Sequence, residues 1–439
     1  MWNQLLPVGK TIVLQPGGIR CVVDAFLGSG GQGEVYRVVI QGKEKALKWY
    51  FEGSATPQQE KILRKLVDIG PPTNSNEFLW PEMVVTSSSV KHFGYVMPLR
   101  EPRFKGIVDM MRGDVHPSFQ VVCIVARQLA HCYWSLHNRG FCYRDISFSN
   151  VFFDSNTGEI LICDNDNVSI PGEASAGVIG TQRFMAPEIV RGEAEPSADT
   201  DKYSLAVLLF YLLFVHHPLE GKRELQIHCL DEQAMTKLFG YEPIFIFDPN
   251  DDSNRPVPGY HDNAIEFWKV YPTFLKRLFI RAFTEGLKPN RRVGETEWRR
   301  AFAHLADCIA YCQHCGRENF YDDEVHSRQG ASLLCWKCQQ RVPIPFILRI
   351  GKNVVVIRHD TKLYPYHMTP FPNYDFQQPV AEVSPHPQDP SRWGLTNRGA
   401  QQWTAKSRDS SPIAVPPGKT VGLYKGLILD FGEVSGVVE

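Results

Sequence analysis

Two acids and an amide at fixed spacing constrain this chain more than any other feature. Asp145 and Asn150 stand in Cys142-Tyr-Arg-Asp-Ile-Ser-Phe-Ser-Asn150, and Asp164 follows after two short apolar runs, Val151–Phe153 and Ile160–Cys163. Between the runs, Asp154-Ser-Asn-Thr-Gly158 supplies turn formers, so the stretch predicts a β-hairpin. A hairpin returns Asp164 beside Asn150 and brings three oxygen-bearing side chains together. Hard oxygen ligands suit Mg²⁺, which takes few protein ligands and shares phosphate oxygens for the rest. Asp145 is then left to orient a hydroxyl nucleophile. The plain alternative is two unrelated acids near a surface turn.

A phosphate cradle is legible upstream. Val22–Leu27 reads as a strand, then Gly28-Ser-Gly-Gly-Gln-Gly33, then Glu34–Ile40 as a second strand. Gly28, Gly30 and Gly33 let backbone N–H groups approach phosphate oxygens without side-chain obstruction. A dinucleotide-binding turn would open a helix, and here the pattern continues into a strand. Alternation in Glu44–Trp49 puts Ala46 and Lys48 on one face, and a lysine on an inner face needs an anionic partner. Phosphate would serve, as would a carboxylate on the next helix, Thr56–Val67. Pro57 suits its first turn, Ile62, Leu63 and Leu66 form its apolar stripe, and Glu60 is the carboxylate expected to meet Lys48. Phe93–Leu99 reads as a strand entering a connector. Pro98 lacks an N–H, so an adenine contact there uses its carbonyl and the amide of Arg100.

These motifs, in this order, resemble those of a eukaryotic-type (Hanks-type) protein Ser/Thr kinase across roughly residues 20–305. The resemblance implies that Lys48 holds the α- and β-phosphates of ATP, that Asp145 is the catalytic-loop base, and that Asn150 and Asp164 bind Mg²⁺ or Mn²⁺. Phe119–His137 has helical spacing and would carry the catalytic loop; His131 and His137 on it read as packing or surface residues. Asp164–Glu188 is rich in Gly, Ser and Ala. Gly180-Thr181 and Ala186-Pro-Glu188 match the family's peptide-docking end, which implies that Thr181 bridges to Asp145. By the same resemblance Glu188 pairs with Arg292 and Asp201 braces the catalytic loop. Tyr143 replaces the usual histidine, Asn165-Asp166 the usual Phe-Gly, and Ser147 a phosphate-contacting lysine, whose loss removes one charge-stabilising contact. Arg144 is of the kind that pairs with a phosphorylated segment, with Ser169 and Ser175 as candidate sites.

The formal charge of −1 over 439 residues gives no bulk electrostatic ground for a nucleic-acid or membrane surface. The longest apolar run, Leu205–Val215, is too short to span a bilayer and predicts a buried helix. No basic region followed by an apolar stretch opens the sequence, so a cytoplasmic chain is expected. Of eleven cysteines, seven are scattered and expected to be reduced, buried hydrophobes. The other four, Cys312, Cys315, Cys335 and Cys338, form two Cys-x-x-Cys pairs nineteen residues apart. Two such turns present four thiolates to one ion, a tetrahedral site suited to structural Zn²⁺.

Beyond Arg341 short β-rich runs alternate with Pro- and Gly-rich turns, which predicts a small β-sandwich. The run resembles a forkhead-associated (FHA) domain through Gly351-Lys352, Thr361–Tyr364, Ala381–Val383, Leu395–Asn397 and Gly426–Gly432. The family's phosphothreonine-binding serine and histidine are not matched, with Gln377 and Val380 near those places, so docking or structure is implied there. The expected fold is α+β: a bilobal protein-kinase-like fold followed by a zinc ribbon and a small all-β sandwich. The expected domains are a β-rich nucleotide-binding lobe (1–100), a helical lobe (101–307), the ribbon (308–343) and the FHA-like domain (344–439). That architecture resembles the bacterial kinases of tellurium-resistance-associated phosphorylation triads, which implies a von Willebrand A-type protein and a PP2C-type phosphatase as partners beside protein substrates. The readings to separate are a Mg-ATP-dependent protein kinase and a nucleotide-binding pseudokinase scaffold. Small-molecule phosphotransfer is a third, disfavoured by Thr181 and Ala186-Pro-Glu188.

Overall fold

The structure is a computed structural model that describes residues 4–170, 180–369, 374–407 and 411–439. The chain divides into two compact units, residues 1–268 with 277–299, and residues 269–276 with 300–439.

The first unit opens with an antiparallel sheet. Its strands are β1 (Thr11–Leu14), β2 (Ile19–Ser29), β3 (Gly33–Ile40), β4 (Lys43–Tyr50), β5 (Met83–Ser87) and β6 (Val90–Met97), in the order β1-β2-β3-β4-β6-β5. The glycine run is therefore the turn of the β2–β3 hairpin, with Gly28 opposite Val35. Helix α1 (Pro57–Ile69) follows β4, and the Thr56 hydroxyl caps it by accepting from the amide of Gln59 at 3.1 Å. Its buried stripe, Ile62, Leu63 and Leu66, is the expected one. Strand β6 stops at Met97, one residue before Pro98, because proline cannot extend the ladder.

A short strand, β7 (Phe104–Gly106), and helix α2 (Ile107–Arg112) lead to α3 (Phe119–Asn138). The Cys142–Asn150 stretch comes next, then β8 (Val151–Asp154) and β9 (Ile160–Ile162), the predicted antiparallel hairpin. Its loop contains Gly158 in a left-handed conformation, as a tight return needs. Helices α4 (Pro187–Val190) and α5 (Ala198–Phe214) complete the framework of the site. Every residue of Leu205–Phe214 is buried. This helix is apolar on all sides because protein surrounds it, and no helix among the described residues is long and apolar enough to cross a membrane.

The second unit contains a small antiparallel hairpin, Ile309–Tyr311 with Glu318–Phe320. Two further sheets follow. One has six strands (Phe346–Ile350, Asn353–Ile357, Trp403–Lys406, Ile413–Val415, Ile428–Asp430 and Ser435–Val438) and the other four (Lys362–Leu363, Ala381–His386, Asp389–Asn397 and Thr420–Gly422). Leu348, Ile350 and Ile357 of the first share one apolar core with Leu363, Ala381 and Leu395 of the second. The alternating pattern predicted this β-rich stretch. The helical turn Pro365–Met368 within it is too short to show a period.

Candidate active site and cysteine cluster

A cavity of about 660 Å³ lies between the glycine hairpin and the stretch after α3. Gly28, Gly30 and Gly33 line it, with Val35, Ala46 and Met97 as apolar wall. Pro98 edges it, and Lys48, Arg100, Asp145 and Asp164 supply its charge. Gly33 is required sterically. A Cβ there would lie 2.2 Å from the carbonyl oxygen of Trp49, because β3 and β4 approach closely where Gly33 faces Tyr50.

Ala46 and Lys48 share the inward face of β4, as alternation predicts, and both are buried. The partner of Lys48 is not the expected one. Its Nζ donates to Asp166 Oδ2 at 2.8 Å and lies 3.4 Å from Asp164 Oδ1. Glu60 is turned away, and its carboxylate accepts from Arg64 one helical turn on, at 2.5 Å. The residue of α1 that points into the site is its neighbour Gln59, whose amide donates to the main-chain oxygen of Asp166 at 3.1 Å. Successive helical residues lie about 100° apart, so only one of the two can face Lys48. Asp166 also accepts from the hydroxyls of Tyr50 and Tyr95. Burial alone would push its carboxyl up. Lys48 and the tyrosine hydroxyls outweigh burial and hold it below the usual carboxylate range. Lys48 shows the converse balance: burial would lower it, and Asp166 and Asp164 raise it.

The amide of Asn150 donates from Nδ2 to both the Oδ2 and the main-chain oxygen of Asp145, at 3.0 and 2.9 Å. That orientation leaves Asn150 Oδ1 as an acceptor. Thr181 Oγ1 donates to the other carboxylate oxygen of Asp145 at 2.7 Å, the bridge expected of it. Gly180 precedes it with φ of +119°, and a Cβ there would meet the carbonyl of Arg144 at 2.7 Å. Beneath the loop, Asp201 accepts from the amides of Tyr143 and Arg144 at 2.6 and 3.0 Å. His137 is the residue that spacing missed. Its side chain, 8% exposed, lies between Asp201 at 2.9 Å and Glu295 at 2.5 Å.

Burial alone would lower the His137 pKa, but hydrogen bonds and charge from Asp201 and Glu295 raise it from 6.5 to about 9. The fold therefore favours the imidazolium. Its contribution is complete below about pH 6.5 and is lost as pH rises through about 9. The difference corresponds to about 3 kcal/mol. Denaturation midpoints measured between pH 6 and pH 9.5 should fall across this window in the wild type. His137→Gln should flatten that part of the curve.

The family described as "Protein kinase domain" matches residues 21–275, more than half of the chain. The chain belongs to the protein kinase family. Among curated relatives, a probable serine/threonine-protein kinase of Dictyostelium discoideum is 28% identical over 233 residues, covering 50% of this chain and 14% of that protein. Mitogen-activated protein kinase kinase 5 of Leishmania mexicana is 30% identical over 229 residues, covering 49% and 41%. Protein kinase YegI of Escherichia coli O157:H7 is 24% identical over 348 residues, covering 76% and 51%. The chain thus spans about half or less of the length of these relatives.

Several features of this kinase domain match or qualify the family pattern. Glu188 and Arg292 form a buried ion pair at 2.5 Å. Tyr143 is fully buried and its hydroxyl donates to the Cys163 carbonyl. Asn165 is also fully buried, and its Nδ2 donates to the Ile162 carbonyl at 2.9 Å. Ser147 shares a hydrogen bond with Ser149 at 2.7 Å. Among the described residues, the basic ones lining the cavity are Lys48 and Arg100. Arg100 is committed elsewhere, donating to the Phe104 carbonyl at 2.8 Å and stacking on Phe152. Ser169 pairs through its amide with the Cys142 carbonyl at 2.8 Å, while Ser175 lies outside the described residues.

In the second unit the sulfurs of Cys312, Cys315, Cys335 and Cys338 all lie within 4.8 Å of one another. No disulfide joins any of the eleven cysteines; against the expectation of burial, Cys229 is exposed and Cys163 half-buried. The two pairs have the same backbone plan. Cys312 N–H donates to the carbonyl of Arg317, and Gly316 N–H returns to the carbonyl of Cys312. Cys335 repeats this with Gln340 and Gln339. Gly316 and Gln339, at equivalent positions, both have positive φ. Nearest sulfurs are 3.6 Å apart across the pairs. Four thiolates about 2.3 Å from a shared tetrahedral ion would stand about 3.8 Å apart, so the cluster fits Zn²⁺.

Proposed function

We propose that this protein is a Mg-ATP-dependent serine/threonine protein kinase that transfers the γ-phosphoryl group of ATP to protein hydroxyls. The observation that carries the reading is the clamped Asp145. One carboxylate oxygen is held by Thr181 and the other by Asn150. A carboxylate fixed on both sides at a cavity wall is placed to accept the proton of an incoming hydroxyl. Lys48 and the backbone of the Gly28–Gly33 turn would hold the phosphates. Asp164 and Asn150 Oδ1 supply hard oxygen donors suited to the Mg²⁺ or Mn²⁺ that accompanies the nucleotide. Catalysis is then mostly positioning and charge stabilisation. Ser147 contributes no cation, so Lys48 carries more of that charge.

We assign the Cys312–Cys338 cluster as a zinc ribbon of structural role, because four sulfur ligands leave no open position. The β-sheets after it are read as an FHA-like docking module. Its partners would be proteins, among them a von Willebrand A-type protein and a PP2C-type phosphatase, in the cytoplasm. The domain limits proposed are 1–100, 101–307, 308–343 and 344–439. Incubation with γ-labelled ATP and Mg²⁺, followed by phosphoamino-acid analysis, tests the reading. Phosphoserine or phosphothreonine is expected. Nucleotide binding without transfer would favour the pseudokinase.

A further inference from the structure

We propose that Asp166, two residues beyond the metal-binding acid, is the group that positions Lys48, in place of a carboxylate on α1. The inference rests on the kinase reading. The Asp166 side chain is completely buried and that of Lys48 is 6% exposed. A buried lysine without a counter-charge would be costly, and Asp166 is its close partner at 2.8 Å. The carboxylate is itself fixed from the sheet. Tyr50, two residues along β4 from Lys48, and Tyr95, directly opposite Lys48 on β6, both donate to it. From α1 the side chain that reaches the Asp166 turn is the neutral amide of Gln59, which also donates to the Tyr50 hydroxyl at 3.3 Å.

This arrangement changes what can switch the site. Asp164 sits in a left-handed conformation at the start of a single 3-10 turn, and the amide of Asn167 closes that turn on the Asp164 carbonyl at 3.1 Å. Asp164 and Asp166 therefore move as one piece. Gln32 keys the glycine turn to the same place: its Oε1 accepts from Lys48 at 3.2 Å and its Nε2 donates to Asn167 at 3.4 Å. Displacing α1 removes no charge from Lys48. Displacing the 164–167 turn takes away the positioning carboxylate and the metal-binding acid together. Asp166 is a positioning residue, since it acts through Lys48.

A double-mutant cycle tests this with wild type, Lys48→Met, Asp166→Asn and the double variant, and with Glu60→Gln as control. Two readouts are taken: affinity for Mg-ADP by calorimetry, and kcat and KM for ATP. Each of Lys48→Met and Asp166→Asn should lose about tenfold or more, and the double should be no worse than Lys48→Met, because groups acting as a unit are not additive. Glu60→Gln should stay within about twofold of wild type. Losses that multiply in the double, or a Glu60→Gln loss equal to that of Asp166→Asn, would overturn the inference. If Asp166→Asn does not fold by circular dichroism, Tyr95→Phe replaces it and removes one hydrogen bond to the same carboxylate. Nucleotide binding without transfer would remove the kinase reading and leave the affinity cycle to decide this one. Transfer with a multiplicative cycle would sink this inference alone. A wild type that binds no Mg-ADP overturns both.

Discussion

Lys48→Met is expected to destabilise the first unit by about 3–5 kcal/mol in the absence of nucleotide, besides abolishing tight nucleotide binding. Methionine fits the volume, but it leaves Asp166 buried and without its cation. Breaking one side of a buried, hydrogen-bonded ion pair costs in that range because the remaining charge stays desolvated. The hydroxyls of Tyr50 and Tyr95 still donate to Asp166, which sets the expected value toward the lower end. Adding Asp166→Asn to Lys48→Met removes the stranded charge and should recover part of the loss. Urea denaturation of the three variants checks both points. A Lys48→Met protein as stable as wild type would mean that Asp166 is already neutral or solvated.

Removing the zinc proposed for the cysteine cluster should have a comparable or larger effect on the second unit. The hairpin Ile309–Tyr311 with Glu318–Phe320 is short, and the apolar core that includes Cys312 and Cys335 adds only Ala310, Tyr321, Leu333, Val342, Val354 and Val356 as buried side chains among the described residues. A core of that size does not hold two turns in place without a staple. Structural zinc supplies on the order of 10 kcal/mol in small metal-folded domains. Metal analysis should therefore give about one zinc per chain. Chelation, or Cys335→Ser, should make residues 312–338 readily cleaved by protease. A metal-free protein resistant to protease there would contradict the assignment.

The parts that were legible in the sequence were fixed by short-range geometry. The β8–β9 hairpin follows from two apolar runs and a turn, and the twin cysteine turns follow from Cys-x-x-Cys spacing alone. Alternation placed Lys48 inward but could not name its partner. Gln59, three, four and seven residues before Ile62, Leu63 and Leu66, continues their helical stripe, and Glu60 does not; charge favoured the wrong one. The signal that pointed elsewhere was Tyr50, a hydroxyl on the same β4 face as Lys48. Asp166 read only as a replacement for the usual glycine because its partners, Lys48 and Tyr95, are 118 and 71 residues away. His137 read as packing for the same reason: Asp201 and Glu295 lie 64 and 158 residues distant. Ion pairs of this kind are made by the tertiary fold, and no local period reports them.

The central claim is that Asp145, clamped by Thr181 and Asn150, serves a phosphoryl transfer to protein hydroxyls. Its most direct test is the rate of label transfer from γ-labelled ATP by wild type and by Asp145→Asn, with Mg-ADP affinity measured alongside. The carboxamide keeps the shape and loses the proton acceptor, so transfer should fall by about 10²–10⁴-fold while nucleotide affinity stays near wild type. Equal transfer rates in the two proteins, or no transfer from the wild type, would contradict the account.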